Sequence, residues 1–277
     1  MRDINRRTFL GTLTAATVLG KRLARAAVDD RKIQHLGVQL YSVRGEMEKD
    51  FEGTLAKVAA IGYREVELAG LFNHSPEQVK SILDRNGLAA VSSHVDYKLL
   101  TSDLPKQLEG AKTLGQSFIV CPFLDPKYRN PEGLKQVCRD FNHIGAESKK
   151  TGIQFAYHSH DFEFKPVGDK LLYDIILEQT DPNLVKMEMD LFWITNAGKD
   201  PLSYFNRYPG RFPLVHVKDR KKNGEMVEVG GGDIDWKRIF AESDKAGIEY
   251  YIVEHDNPKS PFDSIKASHN YLSNLRF

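Results

Sequence analysis

The chain has 277 residues, with 39 Lys plus Arg against 38 Asp plus Glu and a formal net charge of +1. Charges this closely balanced create no global field toward nucleic acid or an acidic membrane surface, so small neutral partners are expected. Two cysteines, Cys121 and Cys138, are too few for a disulfide scaffold, and neither lies in a C-x-x-C motif.

In chain order the first feature is Arg6-Arg7 in the run Asn-Arg-Arg-Thr-Phe-Leu-Gly, followed by an apolar stretch from Thr12 to Gly20 and the small-residue site Ala24-Arg25-Ala26. This is the layout of a twin-arginine export signal. The apolar core is too short to cross a bilayer as a stable helix, so no stable membrane insertion is expected. No Cys follows it, which argues against a lipid-anchored variant. Residues 1–30 are therefore read as signal peptide and short linker, with a periplasmic or otherwise exported destination, and residues 31–277 as one folded domain.

That domain, about 245 residues, has the usual size of a single α/β barrel. Apolar runs that read as strands buried on both faces are His35 to Tyr41, Tyr63 to Leu68, Leu88 to His94, Ser117 to Cys121, Ile153 to His158, Val185 to Asp190, Pro213 to Val217 and Tyr250 to Glu254. Amphipathic segments alternate with them: Phe51 to Ala60, Pro76 to Arg85, Leu104 to Leu114, Leu134 to Lys150 and Trp236 to Lys245. Gly62, Gly87, Gly115, Gly152 and Gly247 stand where helices hand over to strands. Eight βα repeats predict a closed (β/α)₈ TIM barrel rather than an open doubly wound sheet. No G-x-G-x-x-G follows the first strand, which removes the main support for a dinucleotide fold.

In such a barrel the chemistry sits where strands end. The first strand ends in Gln39, Tyr41 and Arg44, the second in Glu67, the third in His94 and Asp96, and the fifth in the run from His158 to Glu163. The sixth ends in Glu188-Met189-Asp190, the seventh in His216-Val217-Lys218-Asp219, and the eighth in Glu254-His255-Asp256. Imidazole and carboxylate without thiolate suit a divalent metal, Mn²⁺ first, with Zn²⁺, Co²⁺ or Fe²⁺ as alternatives. The expected ligands are His158, Asp190, His216 and Glu254, with Glu163 or His160 as substitutes for the first. A buried polar network closing the barrel mouth is the bland alternative.

The segments Gly37 to Arg44, Gly62 to Glu67, Tyr157 to Phe164, Met187 to Asp190, His216 to Asp219 and Val253-Glu254 resemble the xylose isomerase-like sugar phosphate isomerase/epimerase superfamily over nearly all of residues 31–277. The resemblance implies metal ligation by Glu, Asp, His and Glu from strands five to eight. Asp190, His216 and Glu254 match the last three, while His158 stands where the first Glu is expected. Since both metal-binding Glu residues move protons in the epimerases, that departure puts simple epimerisation in question. The expected function is a metal-dependent isomerase or epimerase acting through an enediolate on a non-phosphorylated sugar. A lyase cleaving 3-keto-glycosides by β-elimination is the alternative, and a non-catalytic carbohydrate-binding barrel the alternative of another class. An endonuclease IV-type activity is disfavoured by the balanced charge.

Expected catalytic residues are Glu254, Glu163, His158, Lys218 and His94. Lys218 would donate to a substrate oxygen or hold the carboxylate of Asp219, and His94 would be a proton shuttle or a satisfied barrel histidine. Expected substrate contacts are Gln39, Tyr41, Glu67, His160 and Trp193. The run Gly230-Gly231-Gly232-Asp233 reads as a flexible loop near the mouth, without the Lys and Ser/Thr of a P-loop. Homodimers are possible for a barrel of this kind, and no stripe in the sequence is diagnostic of one.

Overall fold

The computed structural model describes residues 31–277, and the signal peptide expected over residues 1–30 lies outside the described residues. Eight strands alternate with eight principal helices. The strands are β1 Leu36–Gln39, β2 Glu65–Leu68, β3 Ala89–Ser93, β4 Phe118–Cys121, β5 Gln154–His158, β6 Val185–Asp190, β7 Leu214–Val217 and β8 Tyr250–Val253. The helices are α1 Phe51–Ile61, α2 Pro76–Arg85, α3 Leu104–Leu114, α4 Pro131–Lys150, α5 Leu172–Gln179, α6 Pro201–Arg207, α7 Trp236–Phe240 and α8 Pro261–Asn274. All eight strands run parallel, in the order β3-β2-β1-β8-β7-β6-β5-β4. The remaining seam, β3 to β4, is joined by Ser117 N–H to the Val91 carbonyl at 3.1 Å and Val95 N–H to the Val120 carbonyl at 2.8 Å. The barrel is therefore nearly closed, as its eight βα repeats predict.

The strand alternation of side chains divides the core in two. Residues such as Val38, Val66, Phe155, Met187, Val215 and Tyr251 belong to the large cluster shared with the helices, whereas Phe118, Val120, Ala156, Leu214 and Ile252 form a separate small cluster that fills the barrel interior. Above that apolar plug the same inward face carries Gln39, Glu67, His158, Glu188, Asp190 and His216, all buried.

Local sequence sets the helix ends. Ser75 and Gln78 form a capping box ahead of α2, with Pro76 at its first position. The five glycines at helix-to-strand joints all have positive φ, from 65° at Gly87 to 127° at Gly62. The expected helix from Trp236 to Lys245 is instead broken into α7 and a short turn, Ser243–Ala246. The Ser243 hydroxyl donates to the Phe240 carbonyl at 2.6 Å, competing with the helical ladder at that point. Among the described residues no helix is long and apolar enough to cross a membrane.

Candidate metal centre at the barrel mouth

Parallel register brings the site together before any loop contributes. Gln39 pairs with Glu67, His158 with Glu188, and Asp190 with His216, each on the same inward face of adjacent strands. Gln39 Nε2 donates to Glu67 Oε2 at 2.7 Å, and its Oε1 accepts from Tyr41 N–H at 3.0 Å. Glu67 Oε2 lies 2.7 Å from His216 Nε2 and 3.1 Å from His94 Nε2. Glu188 Oε2 lies 2.8 Å from both His158 Nδ1 and His94 Nε2.

The opposite nitrogen of each ring faces a second group. His216 Nδ1 is 2.7 Å from Glu254 Oε2, and His158 Nε2 is 3.8 Å from Asp190 Oδ2. Asp190 also caps the short helix Leu191–Asn196: its Oδ1 accepts from Phe192 and Trp193 N–H at 2.9 and 3.0 Å. That cap fixes the carboxylate and leaves Oδ2 for the site. Lys218, two residues beyond His216 and fully buried, places Nζ 2.7 Å from Glu254 Oε2, 2.8 Å from Asp256 Oδ1 and 3.0 Å from Asp190 Oδ2.

Burial opposes charge at every one of these groups, and the neighbours decide the outcome. Burial would raise Glu67 and Glu254, but for Glu67 the His94 and His216 imidazoles, and for Glu254 the Lys218 ammonium and His216, hold them well below the carboxylate range. Burial and the Glu67 carboxylate would raise Glu188, yet His216, His94 and His158 bring it to about 2. For Asp190 burial prevails over Lys218 and lifts it to about 6. Burial would lower His94, but Glu67 and Glu188 raise it to about 10, and Glu188 and Glu254 likewise hold His216 well above the usual imidazole value. Burial, reinforced by His216, keeps His158 neutral, and burial with Lys218 brings His160 down to about 3. Lys218, despite burial, is held firmly protonated by Asp190, Glu254 and Asp256.

These residues fit a divalent cation. Without an ion, Glu67, Glu188, Asp190, Glu254 and Asp256 face three cations, His94, His216 and Lys218, which leaves two negative charges unbalanced, and a bound cation would displace the proton on His216. Buried oxygens Glu67 Oε1, Glu188 Oε1 and Asp190 Oδ2 lack hydrogen-bond partners, the last despite its contact with Lys218. Two overlapping groups have ligand atoms within 4.8 Å of one another: Asp190, His216 and Glu254, and, deeper, His94, His158, Glu188 and His216. One nitrogen of His94, Nε2, already lies between Glu67 and Glu188, at 3.1 and 2.8 Å, so the deeper group serves better as a backing layer. In it Glu188 accepts from His158 Nδ1 and Glu67 from His216 Nε2, turning the other nitrogens toward Asp190 and Glu254.

Several expectations need correction. Glu163 does not join the site: it is buried behind β5, accepting from the Tyr157 hydroxyl at 2.5 Å and from His160 N–H at 2.8 Å. Tyr157 points outward to the helices while His158 points inward, so the carboxylate bound to Tyr157 stands on the wrong side of the strand to hold metal or act on substrate. Gln39 and Glu67 are fully buried and bonded within the network, which removes them as substrate contacts. His94 is the satisfied histidine rather than a free shuttle. Lys218 holds Asp190, Glu254 and Asp256, not Asp219. Asp219 instead organises the glycine run, accepting from the N–H groups of Gly230 and Gly232 and from Trp236 Nε1.

A pocket of about 350 Å³ opens above the centre, at the lower end of the roughly 300–1,000 Å³ usual for small ligands. Tyr41, His158, His160, Lys218 and Glu254 line it, as expected, and so does Phe123, which was not. Trp193 stands behind, its ring 5.8 Å from that of His160. A larger depression, about 590 Å³, lies at the opposite end of the barrel beside His35 and Tyr250 and contains no comparable ligand cluster.

The model of the xylose isomerase-like TIM barrel family matches residues 55–275. The chain belongs to that family. Among its relatives is an inosose dehydratase of Lacticaseibacillus casei, 24% identical over 268 residues, covering 81% of this chain and 89% of the relative. One from Clostridium perfringens (strain 13 / Type A) is 26% identical over 245 residues, covering 74% and 82%. A crystal structure described as a sugar phosphate isomerase/epimerase from Parabacteroides distasonis ATCC 8503 is similar at 30% identity and a TM-score of 0.74, covering 86% of this chain and 93% of that one.

Proposed function

We propose that this family member is a divalent-metal-dependent lyase that takes a proton from the carbon beside a ketone of a non-phosphorylated sugar derivative and expels an oxygen substituent from the next carbon. The observation that carries the reading is one pocket in which neutral His160, protonated Lys218 and ionised Glu254 stand over the Asp190–His216–Glu254 centre. His158, Asp190, His216 and Glu254 would hold the cation. When bound it would supply Lewis-acid stabilisation of the oxyanion formed as the α-proton leaves.

The chain's own groups have separate tasks. His160 lines the pocket and is assigned to accept the α-proton. Burial and Lys218 keep its ring neutral, so it is free to take up a proton. Lys218 is held firmly protonated by three carboxylates, so it acts as a fixed positive charge beside the developing oxyanion. As the C–H bond breaks, its electrons form the C=C bond and the C–O bond opens. The proton taken by His160 passes to the departing oxygen, giving an enone and water or an alcohol.

The inosose dehydratase relatives support a lyase of this kind. An isomerase or epimerase on the same enediolate is the second reading, favoured by the name of the Parabacteroides structure. Export by the expected twin-arginine signal is part of the proposal, with sequencing of the native N-terminus as its test. Incubation in D₂O of metal-stripped and reconstituted enzyme with inososes, 3-keto-glycosides and ketoses, followed by NMR of the quenched mixtures, tests the reaction. Enone with released water or alcohol is the expected result. Deuterium exchange with isomerised products and no elimination would move the assignment to isomerase or epimerase. Ligand binding without exchange would leave a carbohydrate-binding barrel.

A further inference from the structure

Among the described residues only four large apolar side chains are strongly exposed: Tyr41, Leu99, Phe123 and Tyr271. Two of them, Tyr41 at 42% and Phe123 at 46%, line the same pocket above the metal centre. Exposed rings carry a hydration cost, so their meeting at one mouth calls for a reason.

Neither ring is loosely held. The Arg44 guanidinium lies 3.9 Å from the centre of the Tyr41 ring, and Arg44 is itself pinned by the carbonyls of Tyr41 and Asp256, each at 2.8 Å, and by Asn257 Oδ1 at 3.0 Å. Phe123 has the Arg129 guanidinium 4.7 Å from its centre and makes edge contacts with His160 at 5.6 Å and Phe162 at 5.3 Å. Arg129 is fixed by its bond to the Leu124 carbonyl at 2.9 Å and by stacking 3.3 Å from the Phe162 ring. Each exposed ring is thus backed by an immobilised arginine, and nearly half of each residue is still open. Rigid aromatic surface bound in advance costs little entropy when it takes a ligand.

The two rings come from the short 3-10 helix Leu40–Val43 after β1 and from the loop after β4, while the polar groups that would handle a reacting sugar lie deeper in the pocket. The pocket therefore has a charged floor and an aromatic rim. From this geometry we propose that Tyr41 and Phe123 form an outer subsite that stacks a second ring of the substrate, a sugar or an aryl group joined to the sugar that sits over the metal centre. The apolar C–H face of a pyranose and the face of an aryl ring meet an aromatic platform in the same way, so both satisfy the rim. This assignment rests on the proposed sugar-binding role of the pocket, but not on the reaction performed there.

The test is a binding experiment that needs no turnover. Zn²⁺-loaded full-length protein is titrated with methyl D-glucopyranoside, phenyl D-glucopyranoside and maltose, with saturation-transfer NMR to report which ring is contacted. The two-ring probes should bind about tenfold more tightly than the methyl glycoside, with saturation on the second ring. Phe123→Ala and Tyr41→Ala should each move that preference toward one, whereas Phe123→Trp should keep it. Melting curves check that the variants fold. Equal affinity for all three probes, a preference that survives both alanine variants, or no binding of any probe would overturn the proposal. Phenyl glycoside and maltose distinguish an aryl from a sugar occupant. A stacked second ring without elimination in the D₂O assay would defeat the lyase reading alone.

Discussion

Glu188→Gln tests the division of the centre into a ligand layer and a backing layer. The carboxylate Oε2 lies 2.8 Å from His158 Nδ1, 2.8 Å from His94 Nε2 and 3.2 Å from His216 Nε2. Gln keeps the shape but offers a neutral oxygen or an NH₂ group to these nitrogens, so His158 loses the charged acceptor that sets its tautomer. Partners of this kind behind a metal-binding imidazole contribute about 10–100-fold to metal affinity, about 1.4–2.8 kcal/mol. The metal-free protein should respond less, because the substitution also removes the repulsion between Glu67 and Glu188 in a cluster with excess negative charge. Competition with a chromophoric chelator for Zn²⁺ measures the affinity, with Asp190→Asn as the reference for loss of a direct ligand. Affinity within twofold of the parent would refute the backing role. Loss as complete as in Asp190→Asn would make Glu188 a ligand and place the ion in the deeper group.

Lys218→Met removes an ammonium that shares Asp190 Oδ2 and Glu254 Oε2 with the expected cation. Metal affinity should rise about tenfold or more, while the metal-free protein, left with three carboxylates uncompensated, should lose about 3–5 kcal/mol by chemical denaturation; unchanged affinity would count against a shared cage. Glu163 carries a pH signature, since burial raises its carboxyl from 4.5 to about 7 against the bonds from Tyr157 and His160. Below pH 4.5 both folded and unfolded forms are protonated; between 4.5 and 7 the unfolded chain ionises first, so this group lowers stability as pH rises, by about 3 kcal/mol in all, and the penalty is constant above 7. The stability of Glu163→Gln relative to the parent should therefore increase between pH 4.5 and 8 in urea titrations, and a flat difference would remove the claim of a buried, reluctant carboxyl. Asp219→Asn should loosen residues 230–234, costing about 2–4 kcal/mol through weakened charged hydrogen bonds; unchanged amide exchange there would deny Asp219 its organising role.

Strand positions were legible because buried parallel strands leave apolar runs and because helix-to-strand joints place glycine where φ is positive. Period two made the inward face readable as well: Asp190 and Glu188 are i and i+2 neighbours on one side of β6, and Lys218, one residue past the end of β7, continues the side that carries His216. Glu188 was visible by that rule yet omitted from the expected site, since a strand-end count rewards the last residue and overlooks the one a layer below. Glu163 was misplaced for the opposite reason. It lies in a short helical turn, Phe162–Phe164, where no strand period governs direction, and the Tyr157 hydroxyl draws it outward. Phe123 was missed because β4 and the residues after it read Cys121-Pro122-Phe123, which offers no ligand chemistry to a search for His and carboxylates.

His158 in place of the carboxylate expected at the end of β5 now has a physical reading that bears on the reaction. A Glu there would bring negative charge to the rim, where it could both bind a cation and take a proton from the substrate. Here the negative charge sits one strand over, on fully buried Glu188, and reaches the rim only through the neutral imidazole of His158. The electrostatic contribution to cation binding is retained, but the carboxylate can no longer touch a substrate. Epimerisation through an enediolate needs a proton-transfer group on each face of the sugar, whereas elimination can use one group that takes the α-proton and returns it to the departing oxygen. With Glu188 withdrawn and Glu163 turned behind the strand, the pocket keeps His160 and the carboxylates of Glu254 and Asp256, and both carboxylates are already engaged, Glu254 by His216 and Lys218 and Asp256 by Lys218. This asymmetry supports the lyase reading over the epimerase one. It also predicts that His160→Ala abolishes both α-proton exchange and elimination while metal content stays stoichiometric; exchange at the parental rate in that variant would return the role of base to Glu254 and reopen the two-base alternative.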